Sequence, residues 1–229
     1  MKNIFKTLKD FVVRFILRAI SKKNGFVLFY NDPLRNEIMN LIKRIKKETD
    51  LSLTDSEAYQ VYMLVKNTLK VDGDLAEVGV YTGGSAKLIC EAKDKKILHL
   101  FDTFEGLPEI SQIDNPSQFH KGQFFASLDS VKNYLKSYPN VCFYKGYFPE
   151  TADPISNKNF SFVNLDVDLY ESTLKSIEFF YPRMSRGGVI LSHDYIYAPG
   201  VKKAFDDFFN DKQEIIIELS GSQCMVVKL

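Results

Sequence analysis

From Thr54 onward the chain switches repeatedly between two hydrophobic periods. Thr54 with Glu57 three residues later is a capping-box signature, and the apolar spacing behind it predicts a helix to about Leu69. Val71-Asp-Gly-Asp74 breaks that helix. The short apolar runs LAEVGV (75–80), KILHLF (96–101), VCFYK (141–145), FSFVNLD (160–166) and GVILS (188–192) then read as strands. Helical patterns fall between or after them, over Gly84–Ala92, Leu128–Ser137, Ser172–Tyr181 and Val201–Phe209, while residues 105–127 read as one long loop. EIIIEL (214–219) and QCMVVKL (223–229) close the chain, joined only by Ser-Gly-Ser.

Repeated βα units imply a parallel sheet with helices on both faces and right-handed crossovers. A three-residue connection between the last two strands makes them a hairpin, so the final strand runs antiparallel. The predicted class is therefore α/β: a mostly parallel seven-stranded sheet with an antiparallel terminal hairpin, the plan of the Rossmann-like class I methyltransferase fold. A dinucleotide dehydrogenase would need a second mononucleotide half, for which the chain is short. The predicted domain spans 54–229, preceded by a basic helical extension over 1–53 that holds a connector and a basic helix from Leu34 to Lys47.

Charge sharpens that division. Net charge is +1, which argues against general nucleic-acid binding, but residues 1–47 carry +9 and the remainder −8. Within MKNIFKTLKDFVVRFILRAISKK, Lys2, Lys6, Lys9, Arg14, Arg18 and Lys22 form one stripe of a helix opposite Phe5, Leu8, Val12, Phe15, Ile16 and Ala19. Asp10, Arg14 and Arg18 interrupt the apolar run, so neither a signal peptide nor a membrane span is expected. Such a helix packs on the body, pairs with a copy of itself in a homo-oligomer, or lies on an anionic membrane surface. Cys90, Cys142 and Cys224 have no zinc spacing and read as buried, reduced thiols, which fits a cytoplasmic protein, with peripheral contact at the inner membrane surface if residues 1–23 bind lipid.

Ligands of such sheets bind beyond the C-terminal strand ends. After the first strand comes EVGVYTGGSA, a glycine turn opening a helix, spaced G-x-x-x-G-G and not G-x-G-x-x-G. After the second comes Asp102, placed to accept hydrogen bonds from ribose hydroxyls. After the fourth, in NLDVDLYEST, come Asp166 and Asp168, which share a face if the strand continues through them. After the fifth, in SHDY, comes Asp194. Neighbouring carboxylates repel unless a positive charge sits between them. Three at one strand edge make an oxygen site for a hard divalent cation, most simply Mg²⁺. His193 on a regular strand would point away from Asp194, as a supporting residue. As a ligand it would favour Mn²⁺, Fe²⁺ or Zn²⁺.

Together GDLAEVGVYTGGSA, FDTFEGLP, LDVDLYEST and GGVILSHDY resemble the macrocin O-methyltransferase (TylF/MycF/NovP-like) family over roughly residues 54–229. The resemblance implies an S-adenosylmethionine-dependent, divalent-metal-dependent O-methyltransferase, often oligomeric. Its acceptor would be a sugar hydroxyl of a natural-product glycoside, nucleotide sugar or surface polysaccharide unit. It implies cofactor contacts at Glu77, Gly79, Gly83, Gly84 and Ser85, ribose binding at Asp102, metal binding at Asp166 and Asp194, and Asp168 as general base. Two departures stand out: His193 where the family usually has Asp, and Val167 between the two acids where it often has Gly. The 105–127 loop, with nearby Phe104 and its own Phe119, Phe124 and Phe125, is long enough for a lid, with His120 in it. The rival readings are a catechol-like small-molecule methyltransferase and a non-catalytic cofactor-binding recruitment module.

Overall fold

The computed structural model describes residues 32–229, so the amphipathic helix expected within 1–23 lies outside the described residues. Helix α1 (Pro33–Glu48) begins on proline, whose missing N–H is no loss in a first turn, and ends with Lys46 and Lys47 near the negative end of its dipole. Its face of Ile38, Leu41, Ile42 and Ile45 is buried. Helix α2 (Asp55–Thr68) carries the expected capping box between Thr54 and Glu57. The elements that follow are β1 (Asp74–Val78), α3 (Gly84–Ala92), β2 (Leu98–Asp102), α4 (Leu128–Leu135), β3 (Val141–Lys145), β4 (Phe160–Leu165), α5 (Tyr170–Phe180), β5 (Met184–Ser192), α6 (Pro199–Phe209), β6 (Ile217–Glu218) and β7 (Cys224–Val227). Among the described residues no helix is long and apolar enough to cross a membrane. The three cysteines are free thiols, Cys90 and Cys224 buried and Cys142 partly so.

The seven strands form one sheet in the order β3-β2-β1-β4-β5-β7-β6. β1 to β5 pair in parallel, and β7 runs antiparallel to both β5 and β6. Strand order reverses between β1 and β4, which places a ligand crevice at their C-terminal ends.

Two hydrophobic layers flank the sheet. On one side Ile42, Ile45, Val61, Leu88 and Ile89 pack against Leu75, Leu98 and Phe162. On the other, Phe180, Val201 and Phe205 pack against Val78, Phe101 and Phe160. Phe160 and Phe162 face opposite layers although two residues apart, because the pairing register of β4 shifts between them. Phe160, Phe162, Phe180 and Phe205 are each fully buried, worth roughly 1.5–3 kcal/mol apiece.

Two strands differ from expectation. β5 starts at Met184, ahead of the expected Gly188, and the backbones of Gly187 and Gly188 exchange hydrogen bonds with Lys228. β6 is only two residues long: Glu214 is engaged by Lys228 and Tyr181, Ile215 is exposed, and a short strand suits a sheet edge.

Candidate active site

The crevice at the reversal point is a cavity of about 270 Å³. Its floor is the glycine turn after β1. Gly79 has φ +85°, and a Cβ there would collide with the Asp166 carbonyl oxygen, so this glycine lets β1 and β4 deliver their ends side by side. The N–H groups of Val80 and Tyr81 donate to Asp102 Oδ2 at 2.7 and 3.0 Å, and that of Phe104 to Oδ1 at 2.6 Å. Asp102 thus braces the turn while lining the cavity: Oδ2 is filled by two N–H donors, and Oδ1 keeps accepting capacity.

The connector between α1 and α2 forms a second wall. Thr82 Oγ1 donates to the Asp50 carbonyl at 2.5 Å and Tyr81 Oη to the Asp50 carboxylate at 3.2 Å. Asp50, Leu51, Ser52 and Leu53 all line the cavity. Gly84 makes this seat possible, since a Cβ there would press on Leu51 and the Asp50 carbonyl at 3.1 Å.

The third wall is the 105–127 loop. It contributes Gly106, Leu107, Gln118, Phe119 and Phe124, and it is laced to itself by backbone bonds between Leu107 and both Gly122 and Gln123. Phe125 and His120 are exposed and do not line the cavity. Buried Asp114 accepts the Tyr170 N–H at 2.8 Å, so the loop caps α5 from 56 residues away. That arrangement leaves Asp168 free of capping duty, although it precedes the helix closely.

At the fourth side stand the acids. β4 ends at Leu165 and β5 at Ser192, so Asp166, Asp168, His193 and Asp194 sit just beyond the strands. Strand alternation no longer governs them: Asp168 and Asp194 have φ of +61° and +59°. This corrects the expectation that His193 points away. Its Nδ1 lies 3.0 Å from Asp194 Oδ2 and 3.3 Å from Asp166 Oδ1, and its Nε2 lies 3.6 Å from Glu57 Oε1. One donor atom each from Asp166, His193 and Asp194 falls within 4.8 Å of the others. Two carboxylates and an imidazole so placed fit a divalent cation with nitrogen tolerance.

Electrostatics follow from that crowding. Burial, then the charges of Asp166 and Asp194, raise the Asp168 carboxyl well above the usual range. Burial works against charge on His193, but Asp166, Asp194 and Glu57 outweigh it and hold the imidazole far above its ordinary range.

Gly79, Gly84, Ser85, Asp102, Asp166, Asp168, His193 and Asp194 all line the one cavity. Glu77 and Gly83 do not. Glu77 is fully buried in β1 with Oε1 accepting from Asn164 Nδ2 at 2.8 Å and Oε2 unpartnered, and burial pushes its pKa up to about 8. The folded state therefore keeps a proton that the unfolded state loses near 4.5, and stability falls as pH rises between those values, by at most about 1.4 kcal/mol per pH unit. Glu77→Gln keeps the acceptor toward Asn164, so it is expected to flatten that decline and to raise the melting temperature at about pH 8 more than at about pH 5. Thermal unfolding across this range checks it; a parallel pair of pH profiles would remove the assignment.

Asp50–Leu53, Glu57, and Gly146–Phe148 beyond β3 belong to the site region without having been anticipated. Only Glu57 carried a sequence signal, and that signal was for helix capping.

A profile of the macrocin O-methyltransferase (TylF) family matches residues 59–222. The 8-demethyl-8-(2,3-dimethoxy-α-L-rhamnosyl)-tetracenomycin-C 4′-O-methyltransferase of Streptomyces olivaceus is 32% identical over 140 residues, 55% of this chain and 54% of that protein. The demethyldecarbamoylnovobiocin O-methyltransferase of Streptomyces niveus is 29% identical over 153 residues, 60% of this chain and 58% of its own. The chain thus spans little more than half the length of these curated relatives. In fold it is similar to the O-methyltransferase NovP, with a TM-score of 0.65 and 24% identity over 75% of this chain and 78% of that one.

Proposed function

The chain belongs to the macrocin O-methyltransferase (TylF) family, and from that premise we propose that it is an S-adenosylmethionine-dependent, divalent-metal-dependent O-methyltransferase acting on a sugar hydroxyl. The observation that carries this reading is one cavity with a glycine turn and Asp102 at one end and Asp166, Asp168, His193 and Asp194 at the other. The relatives named for methylation of a rhamnosyl-bearing tetracenomycin and of demethyldecarbamoylnovobiocin support a glycosylated natural product or a related sugar as the acceptor.

S-adenosylmethionine would bring an activated methyl group. Gly79, Gly84 and Ser85 would border its methionine part, Asp102 its ribose, and the connector wall of Asp50–Leu53 would cover it. Asp166, His193 and Asp194 would hold a divalent ion, which when bound lowers the pKa of a hydroxyl it touches. Asp168, at the same end of the cavity, would accept the proton of the acceptor hydroxyl. Phe119 and Phe124 of the 105–127 loop exclude water from that transfer, and the cavity walls align acceptor and donor.

Calorimetric titration with S-adenosylmethionine tests the proposal, run with Mg²⁺, with Mn²⁺ and after chelation, with NAD⁺ as the control. Binding of S-adenosylmethionine and not NAD⁺ is expected, together with a separate ion-binding heat that disappears in Asp166→Ala. Absence of S-adenosylmethionine binding under every ion condition would overturn the proposal.

A further inference from the structure

Glu57 is 3% exposed, and its two oxygens face different tasks. Oε2 accepts from Thr54 N–H at 2.8 Å and Thr54 Oγ1 at 2.7 Å, which completes the capping box. A glutamine would serve that box as well. Oε1 does something capping does not require. It accepts from Ser222 N–H at 2.7 Å and Ser222 Oγ at 3.1 Å, in the turn between β6 and β7, and stands 3.6 Å from His193 Nε2. The turn is shaped around it: a Cβ on Gly221 would collide with that same oxygen, and Gly221 has φ +96°. Ser222 Oγ also accepts the Asp194 N–H at 3.3 Å. One carboxylate oxygen, 165 residues away in sequence from Ser222, therefore backs both His193 and the loop that carries Asp194.

An imidazole that binds a metal through one nitrogen commonly donates its other N–H to a carboxylate, which fixes tautomer and ring orientation. The contacts of His193 have that layout, with Nε2 toward Glu57 and Nδ1 toward Asp166 and Asp194. We infer that Glu57 is a positioning residue for His193. It holds Nδ1 as a nitrogen donor beside the two carboxylates, so that the site prefers a first-row transition ion such as Mn²⁺ to Mg²⁺. The inference rests on the reading of this cluster as a metal centre. Its chemical basis is that Mg²⁺ is suited by oxygen donors alone, whereas first-row ions accept imidazole readily.

The test is ion binding by the full chain, read by electron paramagnetic resonance of Mn²⁺ and by Mg²⁺ competition. The expected wild-type result is Mn²⁺ binding at least about tenfold tighter than Mg²⁺, with spin-echo modulation from one directly bound ¹⁴N. Glu57→Gln is expected to weaken Mn²⁺ about 10–100-fold and Mg²⁺ less, so the preference shrinks. His193→Asp is expected to abolish the ¹⁴N modulation and turn the preference toward Mg²⁺. Thr54→Ala removes a partner of the other Glu57 oxygen; it should lower the melting temperature and leave the Mn²⁺ to Mg²⁺ ratio unchanged.

A Glu57→Gln variant that loses thermal stability like Thr54→Ala yet keeps the wild-type ratio would overturn the positioning role. A wild-type ratio in His193→Asp would overturn the nitrogen donor, and does so even where Glu57→Gln fails to fold. Failure of the wild type to bind either ion overturns this inference and the metal half of the proposed function together. S-adenosylmethionine binding by the same sample then decides whether the remainder of that function stands.

Discussion

Asp168→Asn is expected to lower methyl transfer by about 10²–10⁴-fold, the usual contribution of a positioned general base, while S-adenosylmethionine binds as before. The substitution is well matched to its place. Asp168 sits at φ +61°, where asparagine is among the side chains tolerated best. It is 8% exposed, and the charges of Asp166 and Asp194 oppose its ionisation. An amide has the same shape, carries no charge to bury and can donate toward a neighbouring carboxylate. The metal-free variant should therefore melt no lower than the parent, and higher if like-charge repulsion is a net cost. Stability held or gained with turnover lost separates a missing base from a damaged fold. Turnover that persists at the parent rate would assign the proton to another group.

Much of this site was legible because parallel βα units make a rule of position. Every strand end in such a sheet reaches the same edge, so Gly79, Asp102, Asp166 and Asp194 could be grouped from sequence order alone. The sheet order bears this out, with β1 and β4 adjacent where the strand order reverses. What escaped reading depends on contacts without local periodicity. His193 turns inward because β5 ends at Ser192 and the backbone at Asp194 enters the left-handed region. Strand alternation, valid two residues earlier, then gives the wrong face.

Glu57 was visible as a capping partner through a spacing of three, and its second contact, to Ser222, carries no signature. Asp114 is a similar case: it reads as one more loop acid, yet it caps a helix that begins at Tyr170. The connector wall was hidden for a different reason. Residues 50–53 have no regular structure, and only the small size of Gly84 allows them to lie over the start of α3. Motifs announce residues held by local geometry; residues recruited across the fold announce themselves only in three dimensions.

The glycine turn offers the sharpest test of how fold and site are joined. Gly79→Ala and Gly122→Ala place the same methyl group at nearly the same positive φ, +85° and +80°. Each should therefore incur a similar strain of about 1–2 kcal/mol. Their surroundings differ completely. The added carbon at 122 meets nothing within 4 Å, whereas at 79 it runs into the Asp166 carbonyl and comes within 3.4 Å of Val167 Cγ1. The β4 end must then move, and Asp166 with it. Gly79→Ala is expected to destabilise the fold by roughly 2–4 kcal/mol. A displacement of about 1 Å at a reacting centre costs about 10²-fold in rate. Mn²⁺ and S-adenosylmethionine binding should weaken in the same variant, since Gly79 lines the cavity at the glycine-turn end and its Cα faces the Asp166 carbonyl. Gly122→Ala should show the strain alone, with binding and turnover near those of the parent. Denaturant titration with ion and cofactor binding on both variants reads the difference. Equal binding by the two would mean that contact between Gly79 and the Asp166 backbone is not what holds the carboxylate in place, and the positioning of Asp166 would have to come from β5 and the His193 side instead.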